Sequence, residues 1–268
     1  MSNPKFSVIT ITFNSEKTIE RTLKSVLAQT FTDYEYIIVD GASRDSTMDI
    51  VRKYEPLFEG RMKWKSEPDE GIYDAMNKGV TRSLGDIIGI VNSDDWLEED
   101  ALANVAKVAE RENEPLGVIY TGNLVFHYAD GTRLKRTTSE KRLIRSAKVY
   151  DIGIFHPATF VPKKIYTELG LFDLQFKLNA DVDFILRCYY AGVHFSIIDK
   201  VLSNMSDGGA TNSGMTSKEI SDRKKVVEKH ANSKLDFYRV WIPYLIKIYG
   251  KKLLPKSLSR YIRKQLDK

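Results

Sequence analysis

The chain has 268 residues, of which 42% are apolar and 29% are charged, the composition of an ordinary globular protein with a substantial core. Its single cysteine, Cys188, excludes an intrachain disulfide and a metal cluster built from cysteines. Residues 237–268 hold nine Lys or Arg and one acidic residue, so they carry +8, and the net charge of +5 leaves residues 1–236 at −3. Nucleic acid is therefore not an expected partner of the acidic body.

Strand-like and helix-like segments alternate through the first half of the chain. The strand-like segments are 6–13, 34–40, 62–66 and 86–92. Each is followed by a segment with apolar residues at helical spacing. This rhythm predicts an α/β fold with a mainly parallel central sheet and helices on both faces.

The pattern changes after residue 117. Short strand-like runs meet at Asp130-Gly131, which is a hairpin signal and predicts a small antiparallel portion. Residues 154–162 suggest a further strand. Residues 203–217 have three glycines and no apolar periodicity, and we expect a mobile loop there, followed by a charged helix over about 217–232.

Acidic residues stand at or beyond the ends of three of these strands. Asp40 follows the second, Asp69 lies in SEPDEG, and Asp94 and Asp95 follow the buried run IIGIV. Ligands bind at the carboxyl ends of strands in open parallel sheets, and an adjacent carboxylate pair suits Mg²⁺ or Mn²⁺ with a diphosphate. The alternative is structural, since Asp40 opens a turn-rich segment and Asp94 or Asp95 could cap a helix.

A second acidic pair lies in NADVDFILRC. Asp181 and Asp183 are two residues apart, so on a helix they point roughly 200° apart and cannot both face one site. One could be a general base while the other is solvated or pairs with Arg187 at i+4. The alternative is that both are there because the helix dipole favours acids near its N-terminus.

Other catalytic signatures are missing from the sequence. It contains no Gly-x-Ser-x-Gly elbow, no Walker A sequence and no GxGxxG fingerprint, which argues against hydrolase, P-loop and dinucleotide chemistry. The four histidines are scattered, without the spacing of metal ligands. The first residues, MSNPKF, lack the regions of a secretion signal, and we expect a cytoplasmic protein.

Five segments together resemble the inverting family-2 glycosyltransferases of the GT-A fold. They are SVITITFN, IIVDGASRDST, SEPDEGIYDAMNKGV, GDIIGIVNSDDWL and NADVDFILR. They occur in the family's order and cover roughly residues 6–210. The resemblance implies a Rossmann-like sheet and a GT-A catalytic domain, to which we assign residues 1–236. The charge distribution separates residues 237–268 as a basic amphipathic tail.

The resemblance assigns several residues to the nucleotide-sugar donor. Thr12 and Asn14 fall where the first strand lines the nucleotide pocket. Asp40 matches the acid that binds the nucleoside, usually uridine, and Asp69 matches a second polar contact near the base. Asn77 lies in a segment beneath the donor sugar and phosphates.

The stretch SDD matches the DxD-type metal motif of this family. Its first position is Ser93 in this chain. The resemblance implies that Asp95 is the ligand of Mn²⁺ or Mg²⁺, while Asp94 contacts ribose or sugar. Asp181 falls at the position of the catalytic base, with Asp183 as second choice because Ala180 stands where the family often has Glu.

The activity implied is transfer of a hexose or N-acetylhexosamine from a nucleotide-diphospho sugar, with inversion of the anomeric carbon. The donor expected first is a UDP-sugar. The acceptor would be the hydroxyl of a glycan or a lipid-linked molecule in bacterial capsule, O-antigen or exopolysaccharide synthesis. One alternative is a sugar nucleotidyltransferase. That class requires a Gly-rich, basic N-terminal loop, and the segment ITITFNSEKT does not have one. The other alternative is an inactive glycan- or lipid-binding relative.

The C-terminal segment 237–268 has two interpretations. It mixes aromatic, apolar and basic residues, including Trp241, Tyr244, Leu245 and Ile248, and contains no uncharged apolar run of about 18 residues that could span a bilayer. It could lie on an anionic membrane as a peripheral anchor. It could equally be a last helix packed on the domain.

Overall fold

The computed structural model describes residues 3–112, 117–207 and 216–252. The strands are β1 (Phe6–Thr12), β2 (Tyr34–Asp40), β3 (Met62–Ser66), β4 (Ile87–Ile90), β5 (Trp96–Leu97), β6 (Val118–His127), β7 (Arg133–Arg136), β8 (Thr159–Pro162) and β9 (His194–Ser206). The helices are α1 (Ile19–Leu27), α2 (Thr47–Tyr54), α3 (Ile72–Arg82), α4 (Ala101–Ala109), α5 (Glu140–Ala147), α6 (Lys163–Leu169), α7 (Ala180–Tyr190), α8 (Ser217–His230) and α9 (Lys234–Lys252).

All nine strands form one mixed sheet in the order β3-β2-β1-β4-β8-β6-β9-β5, with β7 paired to β6. The first four strands in this order are parallel. β8 is antiparallel to both β4 and β6, and β7 forms the predicted hairpin with β6. The prediction of a mainly parallel sheet with an antiparallel portion is therefore confirmed.

Both faces of the parallel half are covered. Every residue of β1 and β2 is buried, as expected of strands between two helical layers. Alternating residues belong to two separate apolar clusters, with Val8 and Ile38 in one and Ile9 and Ile37 in the other. Because side chains alternate across a strand, these clusters lie on opposite faces of the sheet.

Two predicted segments differ from the structure. The expected loop 203–217 begins inside β9, because that strand runs beside β6 as far as the pair His127 and Ser206. Residues 208–215 lie outside the described part of the chain. The expected strand 154–162 is shorter, since the segment His156–Ala158 is a 3₁₀ turn with Pro157 in its first turn.

The C-terminal helix α9 packs on the domain. Val240, Trp241 and Ile248 are at least nine-tenths buried, and the predicted boundary between residues 236 and 237 falls within this helix. Among residues 3–112, 117–207 and 216–252, none of the helices combines the length and apolar character that a bilayer crossing requires.

Candidate functional site

The carboxyl ends of β1, β2 and β4 meet at one edge of the sheet. Thr12 is paired with Asp40 in the parallel register of β1 and β2, and the Gly41 N–H donates to the Thr12 carbonyl at 2.9 Å. On the other side of β1, Val91 N–H donates to the Ile9 carbonyl at 2.8 Å, so the segment after β4 starts beside β1. Three of the predicted strand ends are thus brought together.

Asp95 is a buried carboxylate with weak compensation. Asp95 is only 1% exposed. Oδ1 accepts from the Ser206 N–H and Oδ2 from the Asn92 amide, both at 3.3 Å. Burial, with the adjacent charge of Asp94, raises the pKa of Asp95 to about 8. A cation at this carboxylate would therefore relieve a real electrostatic cost.

Asp94 lies beside it, half-buried, and burial raises its pKa as well. The Asp94 carbonyl accepts from Arg21 Nη2 at 2.6 Å and from Ser206 Oγ at 2.8 Å. The Arg21 guanidinium also stacks on Trp96, 3.7 Å from the ring centroid. Arg21 thus brings a positive charge to the two carboxylates, and no motif in the sequence marks it.

Ser93 connects this acidic corner to the loop after β1. It is 8% exposed, and its hydroxyl lies 2.8 Å from the hydroxyl of Ser15. The link joins residues 78 positions apart. Ser93 therefore occupies its hydroxyl within the protein, and it holds the turn that presents Asp94 and Asp95.

The oxygen atoms at this corner fit a divalent cation. Asn92, whose amide donates to Asp95, has a buried Oδ1 without a hydrogen-bond partner in the described part of the chain. Thr12 Oγ1, at the end of β1, is likewise buried without a partner there. Within the same residues, no group of three or more His, Cys, Asp or Glu is arranged around one metal position. A cation held here would have Asp95 as its carboxylate and would take other oxygens from the ligand and water.

Asp40 and Asp69 have different surroundings. Asp40 is fully buried and accepts from Ser43 N at 3.0 Å and from the hydroxyls of Ser43 and Ser66 at 2.5 Å each. Its carboxylate holds the turn after β2. Asp69 is half-buried and accepts from the Gly71 N–H at 2.9 Å.

Gly41 allows Asp69 to approach that turn. A Cβ placed at residue 41 would come within 2.5 Å of Asp69 Oδ2 and 3.4 Å of Phe13 Cδ2. The ring of Phe13 is 60% exposed, which is unusual for a large aromatic side chain directly after a fully buried strand. Phe13 and Asp69 thus lie together at the mouth of the site. Sequence reasoning did not select Phe13, although its place after β1 was a usable signal.

Asn14 and Asn77 use their side chains within the protein. Asn14 has a left-handed backbone, with φ of 49°, and its Oδ1 accepts from Arg44 N at 2.9 Å. Asn77 forms two hydrogen bonds with the backbone of Phe172, at 2.8 and 3.0 Å. Its amide therefore holds the chain ahead of α7.

Asp181 stands in the first turn of α7 and is half-buried. Its Oδ1 accepts from the Tyr73 hydroxyl at 2.8 Å. His156 and Phe172 line a small cavity with it. Burial lowers the pKa of His156 against the opposing charge of Asp181, and His156 Nε2 is buried without a partner in the described residues.

Asp183 faces the other way, as the spacing predicted. It is fully buried and contacts Arg187 Nε at 2.9 Å, Lys229 Nζ at 2.8 Å and His230 Nε2 at 2.9 Å. Burial opposes its ionisation, but the hydrogen bonds from His230, Lys229 and Arg187 outweigh burial and lower the pKa of Asp183 to about 2. The predicted pairing with Arg187 is confirmed.

Comparisons with known proteins identify the family of this chain. Residues 7–170 match the family described as glycosyl transferase family 2. The chain is 32% identical over 197 residues to a PGL/p-HBAD biosynthesis glycosyltransferase of Mycobacterium bovis, covering 70% of this chain and 71% of the relative. It is 26% identical over 199 residues to the poly(ribitol-phosphate) beta-N-acetylglucosaminyltransferase TarS of Staphylococcus aureus, covering 72% of this chain and 34% of TarS.

Two solved structures share the fold. Residues 1–349 of S. aureus TarS in complex with UDP-GlcNAc superpose with a TM-score of 0.68 at 20% identity, covering 92% of this chain and 73% of that one. The mannosyltransferase PcManGT of Pyrobaculum calidifontis, in complex with GDP-Man and Mn²⁺, gives 0.65 at 17% identity, covering 92% and 70%. The fold expected from the sequence is therefore confirmed.

Proposed function

We propose a specific reaction for this chain, which belongs to glycosyl transferase family 2 and is a nucleotide-sugar glycosyltransferase of the GT-A fold. It transfers a hexose or N-acetylhexosamine from a UDP-sugar with inversion of the anomeric carbon. The acceptor we propose is a hydroxyl of a glycan or lipid-linked molecule in bacterial surface-polysaccharide synthesis. The observation that carries the proposal is the buried, weakly compensated Asp95 at the carboxyl edge of the sheet. The likeness to TarS, solved with UDP-GlcNAc, supports UDP as the nucleotide.

The diphosphate end of the donor belongs at the corner formed by Asp94 and Asp95. Asp95 would hold Mn²⁺ or Mg²⁺, together with the side-chain Oδ1 of Asn92, which has no hydrogen-bond partner among the described residues. Such a cation supplies positive charge that stabilises a departing nucleoside diphosphate. Arg21 is the protein's own cation at this corner, and we assign it to the same negative charge.

The nucleoside end belongs at Phe13 and Asp69. An exposed ring stacks on a base at little conformational cost, and the Asp69 carboxylate can accept a hydrogen bond from a base N–H. The Thr12 hydroxyl, for which the described part of the chain offers no hydrogen-bond partner, is available at the end of β1. Asp40 and Asn14 contribute indirectly, because both stabilise the turns that form this pocket.

Asp181 is our choice for the base. The acceptor oxygen attacks the anomeric carbon, its proton passes to an oxygen of Asp181, and the bond from sugar to phosphate breaks so that UDP leaves. A single displacement inverts the anomeric carbon, so an α-linked donor gives a β-glycoside. The cationic surroundings of Asp183 weaken its affinity for a proton, which supports Asp181 over Asp183.

A donor screen followed by product analysis tests the proposal. We expect Mn²⁺ and one UDP-sugar together to raise the melting temperature, and the same pair to release UDP slowly by hydrolysis. Asp95→Ala should abolish both effects, whereas Asp49→Ala, at an exposed salt-bridged residue of α2, should leave them unchanged. NMR of the product with an accepted glycan should show the inverted linkage.

Three results would contradict the proposal. One is a response of Asp95→Ala equal to that of the original protein. Another is retention at the anomeric carbon. The third is release of pyrophosphate from UTP and a sugar 1-phosphate, which would indicate a nucleotidyltransferase.

A further inference from the structure

Helix α9 has apolar side chains on two sides. One side packs on the domain through Val240, Trp241 and Ile248, none more than 8% exposed. The outward-facing large side chains, which we call the α9 stripe, are between 50% and 83% exposed. They are Leu235, Tyr238, Ile242, Ile246 and Tyr249.

The α9 stripe is narrow and continuous. At 100° per residue, its five positions fall within an arc of about 80° on the helix surface. They are five of the twelve large apolar side chains that are exposed among the described residues. Single exposed apolar residues are common, but a contiguous set marks a surface that contacts something apolar.

The helix that carries this stripe is basic in its sequence. Lys234, Arg239, Lys247, Lys251 and Lys252 lie in α9 against one acidic residue, Asp236. The sequence then continues for sixteen residues, 253–268, with five Lys or Arg, one acid and further leucines. An apolar stripe in a basic segment is complementary to a surface whose negatively charged groups cover an apolar layer.

We propose that the α9 stripe docks on an anionic lipid surface, with the helix axis in the plane of the interface. An amphipathic helix of this kind inserts its apolar side chains at the boundary between headgroups and acyl chains, and the basic residues bind the lipid phosphates. A second copy of the chain is a poorer occupant, because two segments of charge +8 repel each other.

The inner side of α9 keeps the helix attached to the domain during this docking. Val240 and Trp241 join α9 to the larger of the two core clusters, and Arg239 donates to the Lys148 carbonyl at 3.2 Å. The outer side can therefore enter a lipid surface while the helix stays attached to the domain. The whole catalytic domain is then held at that surface, and no part of the described fold has to open.

Vesicle sedimentation of the full chain tests the proposal. We expect binding to phosphatidylcholine vesicles that contain phosphatidylglycerol, weak binding to phosphatidylcholine alone, and release by salt. Ile242→Glu/Ile246→Glu should reduce the bound fraction by about tenfold or more, since two buried apolar side chains are lost. The matched control is Leu57→Glu/Leu84→Glu, which makes the same charge change at exposed leucines elsewhere and should bind as the original does.

Vesicle binding and gel filtration together can contradict the proposed lipid docking. Equal binding of the two double variants, or no preference for phosphatidylglycerol, would overturn the proposal. So would a dimer in gel filtration that Ile242→Glu/Ile246→Glu converts to a monomer without any vesicle binding by the original. UDP release from a water-soluble donor should be the same in both variants, so that a failure here is separate from a failure of the proposed activity.

Discussion

The hydroxyl of Tyr73 donates a 2.8 Å hydrogen bond to Oδ1 of Asp181, which joins α3 to the first turn of α7. Burial and the charge of Asp181 raise the pKa of Tyr73 well above its usual value, so Tyr73 stays protonated and remains a donor. Asp181 Oδ2 has no hydrogen bond within the described residues. One oxygen is thereby oriented by the protein, and in the proposed mechanism the other would receive the proton of the acceptor.

Asp181→Asn should separate donor binding from transfer. The amide can still accept from Tyr73, so the local structure should persist, but it cannot take the proton of the acceptor. We expect kcat for transfer to fall by about 10²–10⁴-fold, with UDP affinity within about twofold of the original. Steady-state kinetics and calorimetric titration of UDP measure the two quantities.

The comparison variant is Asp183→Asn. It should lose stability while the folded fraction keeps transferring sugar. If folded Asp183→Asn has lost transfer and Asp181→Asn has kept it, the base is Asp183.

Asp183 also predicts how stability depends on pH. Its pKa is about 2 in the fold and about 3.9 in an unfolded chain. A carboxylate with a lowered pKa stabilises the fold above its unfolded pKa and loses that contribution as pH falls through the folded value. At pH 6 we expect Asp183→Asn to lower the free energy of unfolding by about 3 kcal/mol, because it leaves buried cations without their partner.

Urea titrations at several pH values measure this difference. The gap between the two proteins should narrow as the pH is lowered from about 4 toward 2. A gap that stays constant over this range would mean that the loss comes from packing and not from the charge of Asp183.

Asp95→Asn should show opposite effects on stability and on binding. The substitution removes a buried carboxylate that lies beside Asp94, so the metal-free variant should melt a few degrees higher, corresponding to about 1 kcal/mol. It should also lose the extra stabilisation by Mn²⁺ and the donor. Melting curves with Mn²⁺ and with EDTA measure both, and a variant that still responds to Mn²⁺ would remove Asp95 from the metal site.

Phe13→Ala should weaken nucleotide binding without unfolding the protein. The ring is 60% exposed, so little core packing is lost, whereas stacking on a base contributes about 1–3 kcal/mol. We expect the Kd for UDP to rise by about 5-fold to 150-fold. Phe13→Tyr is the control and should bind normally. If Phe13→Ala binds UDP as tightly as the original protein does, the nucleotide base does not stack on this ring.

Much of the fold could be predicted because its signals are local. β1 and β2 are short runs rich in β-branched and aromatic residues that end in polar residues, and the hairpin at Asp130-Gly131 has a short-range turn signal. The candidate site residues that follow strands, such as Asp95, could be selected for the same reason. Each of these features is encoded within about ten neighbouring residues.

The remainder depends on contacts between distant segments. Ser206 bonds to Asp95 across 111 residues, and Arg21 reaches Asp94 across 73. Such pairs leave no periodic pattern in the sequence. For α9, the composition showed an apolar, basic segment but could not show that Trp241 faces the core while Ile242 faces outward. Packing against the rest of the domain decides which side is buried.

The position of β9 has a consequence for biosynthesis. This strand is the last of the sheet in sequence, yet it lies between β6 and β5 and supplies Ser206 to Asp95. While a ribosome is still making residues 194–206, the growing polypeptide has β6 with an open edge and an incomplete acidic corner. Nascent chains in which β9 has not yet paired therefore expose a strand edge that favours aggregation, and the corner around Asp95 is complete only when the sheet closes.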